Sequence, residues 1–305
     1  METNDDFLIR LLKTASNESP FGFDFDIKQI VQLFEQFLQQ YGEASLSPKS
    51  SGQTLQLLSQ ISHDVEFSNV DMFSMRWFDV NSSVHNTDNL ASSFIPSLPT
   101  SAPTKAMILC QAPLYELMEG FLENQIERNI QTFVVLETIE DIHIDDQIEC
   151  QKYYPYWAGE ENQEKRFGKM VVQTTLIEKY TNINLIRVTI TNLNTNHIHH
   201  AKIIHYLAWP DKSVVSIDEL HNLVSIIQLN TNGETQLLIH CSGGIGRAGT
   251  LSCSLIVSNL TKKELDLIRT DELVLLMKIL RPGTIQNKLQ YQLLIDYVEF
   301  LKKLT

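Results

Sequence analysis

Residues 240–250 run His-Cys-Ser-Gly-Gly-Ile-Gly-Arg-Ala-Gly-Thr, a stretch unusually dense in groups that could do chemistry. Cys241 and Arg247 enclose Ser242, Gly243, Gly244, Ile245 and Gly246, and the glycines leave the backbone free to turn its N–H groups inward. The apolar run Leu237-Leu238-Ile239 comes before this stretch, and a helical pattern over 250–260 follows it. A strand, an N–H-lined loop and a helix N-terminus together make an anion cradle. A cysteine on its floor shares those dipoles, so its pKa is expected to fall from roughly 8.5 into the range of about 3.5–7.5. Arg247 adds a planar fork that matches two phosphate oxygens. A sulfur nucleophile beneath a phosphate site implies phosphoryl transfer to sulfur.

The string His-Cys-Ser-x-Gly-Ile-Gly-Arg resembles the signature loop of the protein tyrosine phosphatases, and their tyrosine-specific branch in particular. The resemblance implies that Cys241 is the nucleophile and Arg247 the phosphate clamp. It puts the N–H groups of residues 242–246 on the phosphate oxygens, with His240 and Ser242 tuning the thiolate by hydrogen bonds. Trp209-Pro210-Asp211 is similar to the triplet that opens the family's acid loop, which makes Asp211 the general acid and later base, a role worth roughly 10²–10⁴ in rate. The residues that follow, Lys212-Ser213-Val214-Val215, lack the family's usual Gly and Pro, which implies unusual loop kinetics.

Downstream, Arg281-Pro282-Gly283-Thr284-Ile285-Gln286-Asn287-Lys288-Leu289-Gln290 resembles the family's Arg-Pro-Gly-x-x-Gln-Thr-x-x-Gln segment. Gln286 and Gln290 then hold the water that attacks the phosphocysteine, a task that suits an amide because it donates and accepts without changing charge. Arg281 would brace the signature loop from behind. Upstream, Met75-Arg76-Trp77-Phe78-Asp79-Val80 looks like a worn phosphotyrosine loop. Trp77 would stack on the substrate ring and Asp79 would hold the substrate's backbone amide, although an aromatic residue beside a strand is as readily a core residue. Weaker echoes of the family run through residues 88–95, 108–113 and 150–155. Ala248 stands where the family has Ser or Thr, whose hydroxyl hydrogen-bonds the departing thiolate.

Several readings compete. A phosphoinositide phosphatase would be expected to carry lysines in the loop, and residues 242–246 have none. A dual-specificity enzyme would be shorter and lack an aromatic slot. A catalytically weak, substrate-trapping phosphotyrosine binder on the same fold is the serious alternative, because the supporting motifs are worn. Intact Cys241, Arg247 and Asp211 favour the enzyme, with a phosphotyrosine-containing protein as substrate.

The elements that must position these residues follow from periodicity. Strand-like runs occur at 106–111, 131–138, 168–176, 182–192, 200–208 and 236–240, and helical patterns at 114–129, 216–229, 250–260, 271–280 and 287–303. Ser216 and Glu219 form a capping box, and residues 192–196 turn a hairpin. Residues 81–104 read as mostly irregular. The expected fold is α/β: a central mixed β-sheet flanked by α-helices, highly twisted if the resemblance holds. Residues 1–64, with helices at 26–40 and about 54–62, form an N-terminal helical extension to a catalytic domain over 65–305.

The 305 residues suffice for a large core. A net charge of −13 argues against a nucleic-acid binder but not against a local phosphate site. The four cysteines lack paired spacing, and there is no leader or membrane span, so a reducing, cytoplasmic setting is expected. The worn motifs point to a divergent lineage, such as a viral or bacterial protein acting in a host cytosol. His197, His199 and His205 share strand parity, yet no carboxylate or thiolate joins them at ligand spacing, so a solvated hairpin face is expected. The acidic stretch 140–146 reads as a solvated loop. Phosphocysteine chemistry requires no metal or other cofactor.

Overall fold

A computed structural model describes residues 92–95, 104–138, 154–231, 236–270 and, between 273 and 304, all but 275, 278–280 and 282. The helices expected at 26–40 and about 54–62, Trp77, Asp79 and the acidic stretch 140–146 lie outside the described residues.

One mixed sheet organises these residues. Its strands are β1 (Ser92–Ile95), β2 (Ala106–Gln111), β3 (Thr132–Val135), β4 (Glu164–Phe167), β5 (Met170–Lys179), β6 (Ile183–Asn192), β7 (His197–Tyr206) and β8 (Gln236–Cys241), in the order β1-β2-β8-β3-β7-β6-β5-β4. The central strands β2, β8, β3 and β7 are parallel, while β1 and β6-β5-β4 extend the sheet by antiparallel pairing. Strands buried on both faces should be continuous apolar runs rather than alternating ones. Ala106-Met107-Ile108-Leu109-Cys110 and Phe133-Val134-Val135 fit that rule, and all of these residues are buried. Further out, β5 opens with buried Met170, Val172 and Thr174 alternating with half-buried neighbours, and its second half is only half-buried or exposed.

Helices cover both faces. Helix α1 (Met118–Glu127) sends Met118, Phe121, Leu122 and Ile126 into one core, against Ile108, Phe133 and Leu238. The opposite core holds α2 (Ile217–Asn230), α3 (Arg247–Val257) and α5 (Lys288–Leu304), with Leu109, Val134 and Ile239 facing them. Each fully buried aliphatic side chain contributes about 1.5–3 kcal/mol, so the middle of the sheet is the stable platform. The N-terminus of α2 carries the Ser216–Glu219 capping box, with Ser216 Oγ accepting from the Glu219 N–H and the Glu219 carboxylate accepting from the Ser216 N–H.

The structure departs from the sequence reading in several places. Residues 92–95 form a strand inside the segment expected to be irregular, because β2 offers them an edge to pair with. The run expected from 168 is the second arm of a tight hairpin whose first arm is β4, and Gly168 (φ +56°) makes the turn. Strand β7 begins at His197, three residues earlier than expected, after a turn in which Asn192 Oδ1 accepts from the N–H groups of Asn194 and Thr195. The short helix α4 (Lys262–Leu267) has no counterpart in the sequence reading, although Thr261 and Glu264 form a second capping box.

Candidate active site

The parallel strands deliver their carboxyl ends to one edge of the sheet, the place where open α/β folds bind ligands. Strand β8 ends at Cys241, β3 runs on into Leu136 and Glu137, and β7 leads within a few residues to Trp209-Pro210-Asp211. Helix α3 starts at Arg247 rather than at 250, which sets the loop between Cys241 and Arg247 at the helix N-terminus.

The loop is built by backbone bonds. The Gly244 N–H donates to the Cys241 carbonyl at 3.2 Å, and the Ala112 N–H reaches the carbonyls of Cys241 and Ser242 at 3.1 and 3.2 Å. Arg281 donates from Nε to the Gly244 carbonyl (2.5 Å) and from Nη2 to the Gly243 carbonyl (3.1 Å). Burial pushes Arg281 down to about 10, so it remains a cation at neutral pH. Gly244 has φ +66°, and a Cβ there would stand 2.1 Å from the Cys110 carbonyl oxygen. Only glycine meets both demands. At Gly246 a Cβ would meet the side-chain amides of Gln290 (2.9 Å) and Gln286 (3.1 Å), so both glutamines press directly against the loop.

Arg247 is 1% exposed and held by opposed elements. Its Nη1 donates to the carbonyls of Leu136 and Trp209, both at 2.9 Å, and its Nη2 lies 3.4 Å from Asp211 Oδ1. The Asp211 side chain is one-third exposed (33%). Trp209 is buried, and its indole N–H donates to the Ser213 carbonyl at 3.0 Å. On the glutamine segment, Gln290 is fully buried, and its Oε1 accepts from the Gln286 N–H at 2.9 Å. Gln290 Nε2 has no partner among the described residues. It is a donor held beside the loop with capacity to spare for a water or an oxyanion.

The Cys241 thiol corrects one expectation. Burial pushes it above the usual thiol range. The Arg247 guanidinium pulls it back, the Glu137 carboxylate pushes it further up, and the N–H groups of Ala248 and Gly244 pull it down. The loop dipoles thus oppose desolvation without overcoming it. Sequence reasoning underweighted the burial of Cys241, which is 3% exposed.

Behind Cys241 lies a group that sequence reasoning missed. Glu137 is wholly buried, and its Oε1 lies 2.8 Å from His240 Nδ1, while His240 Nε2 meets the Tyr156 hydroxyl at 3.2 Å. Its Oε2 has no hydrogen-bond partner among the described residues. The signal was a carboxylate directly continuing the apolar run Phe133-Val134-Val135-Leu136. The solvated histidine face is also corrected. His199 and His205 are buried, their Nε2 atoms bonded to the carbonyls of Ile130 and Glu137, and only His197 and His200 lie on the exposed part of β7. Among the described residues no group of three or more His, Cys, Asp or Glu side chains is placed to hold a metal ion.

The model of the protein-tyrosine phosphatase family matches residues 66–299. The chain belongs to the protein-tyrosine phosphatase family. It is 27% identical over 212 residues to human tyrosine-protein phosphatase non-receptor type 13, covering 66% of this chain and 8% of that protein. Tyrosine-protein phosphatase 1 of Caenorhabditis elegans is 28% identical over 194 residues (61% of this chain, 18% of that protein). Tyrosine-protein phosphatase 2 of Dictyostelium discoideum is 28% identical over 193 residues (61% and 49%). The chain therefore spans less than a tenth of the human relative and about half of the Dictyostelium one. Among the described residues no helix is long and apolar enough to cross a membrane. A mixed sheet flanked by helices is the fold that membership of this family implies, and its loops meet at the Cys241 edge.

Proposed function

We propose that the chain hydrolyses phosphotyrosine in proteins through a phosphocysteine intermediate. The observation that carries this reading is the convergence of Cys241, Arg247 and Asp211. The nucleophile and clamp lie on one loop, and the acid stands 3.4 Å from the clamp's guanidinium. In the first step the Cys241 thiolate attacks phosphorus while Arg247 and the loop N–H groups hold the equatorial oxygens. The bond to the tyrosyl oxygen breaks, and Asp211 gives that oxygen its proton. In the second step Asp211, now a carboxylate, takes a proton from a water placed by Gln286 and Gln290. The resulting hydroxide displaces the thiolate and releases inorganic phosphate. Trp77 and Asp79 are proposed to form the aromatic wall and amide anchor that select phosphotyrosine over phosphoserine.

A slow, substrate-trapping member of the family is the second reading, favoured by Ala248. This residue is fully buried beside the nucleophile and offers a methyl group where a hydroxyl would stabilise the leaving thiolate. Steady-state kinetics with an aryl phosphate separate the roles. Cys241→Ser should abolish turnover, because no alkoxide is available at neutral pH. Asp211→Ala should lower kcat by roughly 10²–10⁴ while the substrate still binds. Undiminished kcat in Asp211→Ala with phenyl phosphate would rule out Asp211 as the acid.

A further inference from the structure

We infer that Asn287 is a positioning residue for the general acid, its side-chain amide clasping the acid loop to the start of α5. The inference rests on the reading of Asp211 proposed above. Asn287 immediately precedes α5, and its Oδ1 accepts from the Gln290 N–H at 3.0 Å, which makes it the helix N-cap. Its Nδ2 donates to the Lys212 carbonyl at 3.0 Å, across to the residue that follows Asp211. Both partners are backbone groups of fixed polarity, so one orientation of the amide satisfies both. Capping alone does not call for an amide, because Ser, Thr and Asp cap as well. A second bond to a carbonyl does call for one. A serine hydroxyl engaged with Gln290 is one bond too short to span to Lys212, and an aspartate would present a lone pair to a carbonyl oxygen.

The acid loop has reason to be held at this point. Lys212 has φ +58°, a region that disfavours side chains other than Gly, Asn and Asp. Within the loop, Ser213 donates from N and Oγ to the Pro210 carbonyl (3.2 and 2.6 Å), and the Trp209 indole holds the Ser213 carbonyl. These bonds shape the turn without fixing it to the rest of the molecule. Besides the packing of Val215 in the core, the loop is tied to the rest of the molecule by Arg247 at Trp209 and Asp211, and by Asn287 at Lys212. Asn287 also adjoins Gln286, so one residue links the loop of the first step to the segment of the second. The clasp therefore raises the fraction of time that Asp211 spends over the signature loop.

The test uses Asn287→Ser and Asn287→Asp, which both keep a helix cap, with Asp211→Asn as the reference. For each, kcat/KM, which reports on formation of the phosphoenzyme, is measured with phenyl phosphate and with 2,4-dinitrophenyl phosphate. The first leaving group needs a proton and the second does not. Both Asn287 variants should lose about three- to tenfold on phenyl phosphate, the worth of one neutral hydrogen bond. They should lose much less on the dinitrophenyl ester, with thermal midpoints unchanged. Wild-type kcat/KM on phenyl phosphate in both variants, or equal losses on the two esters, would overturn the inference. If Asp211→Asn itself shows no dependence on the leaving group, the acid assignment falls and the clasp falls with it.

Discussion

The signature loop and the acid loop face each other across the Arg247 guanidinium, and they are built on opposite plans. From Cys241 to Arg247 the backbone is held on several sides: by Ala112 from the end of β2, by Arg281 against two carbonyls, and by the Ile285 N–H on the Ile245 carbonyl at 3.2 Å. Cys241 and Arg247 are almost fully enclosed. The acid loop is instead anchored at its ends, by buried Trp209 and Val215, and between them exposes Lys212 and a third of the Asp211 side chain. Donors that must meet developing negative charge gain most when they need no reorganisation at the moment of reaction. The role proposed for Asp211, an acid that covers and then releases a protein substrate, needs a loop held by a few breakable bonds.

The largest expected effect comes from disturbing the rigid side. Gly244→Ala would put a methyl group 2.1 Å from the Cys110 carbonyl oxygen and 2.7 Å from Arg281 Nη2, at a φ of +66°. The backbone of β2 cannot yield without breaking its pairing with β8, so the loop must move instead. We expect near-complete loss of kcat/KM on any aryl phosphate, and a stability loss of at least about 2 kcal/mol by thermal or denaturant unfolding. An active Gly244→Ala enzyme would mean that the loop is pliable and that the contrast between the two loops is false.

The same contrast explains what could be read from sequence. Interactions made within one short segment leave a local pattern. The capping box at Ser216, the apolar runs of the core strands, and the strand–loop–helix around Cys241 were legible for that reason, and the structure has each of them. Bonds between distant segments leave none. Nothing at residue 287 announces a bond to residue 212, and nothing at Glu137 announces His240, 103 positions on. Edge strands such as β1 were missed because a four-residue segment becomes a strand only through its partner. The helical reading of residues 114–129 was nearly right, since apolar positions 118, 121, 122 and 126 carry their own period.

A smaller effect sharpens the comparison from inside the rigid loop. Ala248 is wholly enclosed, and its backbone N–H points at the Cys241 sulfur. Ala248→Ser adds a single atom able to donate to the thiolate as it leaves phosphorus. A hydrogen bond to a charged group is worth about 1.5–3 kcal/mol, so the second step should accelerate by roughly 10–100-fold. Rapid-quench kinetics should show a burst of phenol in the unaltered protein that Ala248→Ser diminishes, with kcat rising. No burst in the unaltered protein, with kcat unchanged in Ala248→Ser, would show that phosphocysteine breakdown does not limit turnover.

The smallest expected effect concerns the charge behind Cys241. Glu137→Gln removes the buried carboxylate that pushes the Cys241 thiol up, while its amide oxygen can still accept from His240 Nδ1. The sign follows from Coulomb's law, since a nearby negative charge disfavours the thiolate and its removal favours it. At a fixed pH below the thiol pKa, a larger fraction of the variant should be thiolate. The rate of inactivation by iodoacetate should therefore climb at lower pH than in the unaltered protein. The dependence of kcat/KM on the leaving group should stay as it was, because Glu137 acts on the thiol and not on the proton proposed to come from Asp211. An alkylation profile that does not move would assign Glu137 to holding the His240 ring in place. The acidity of Cys241 would then be set from the front of the loop alone, by Arg247 and the N–H groups of Gly244 and Ala248.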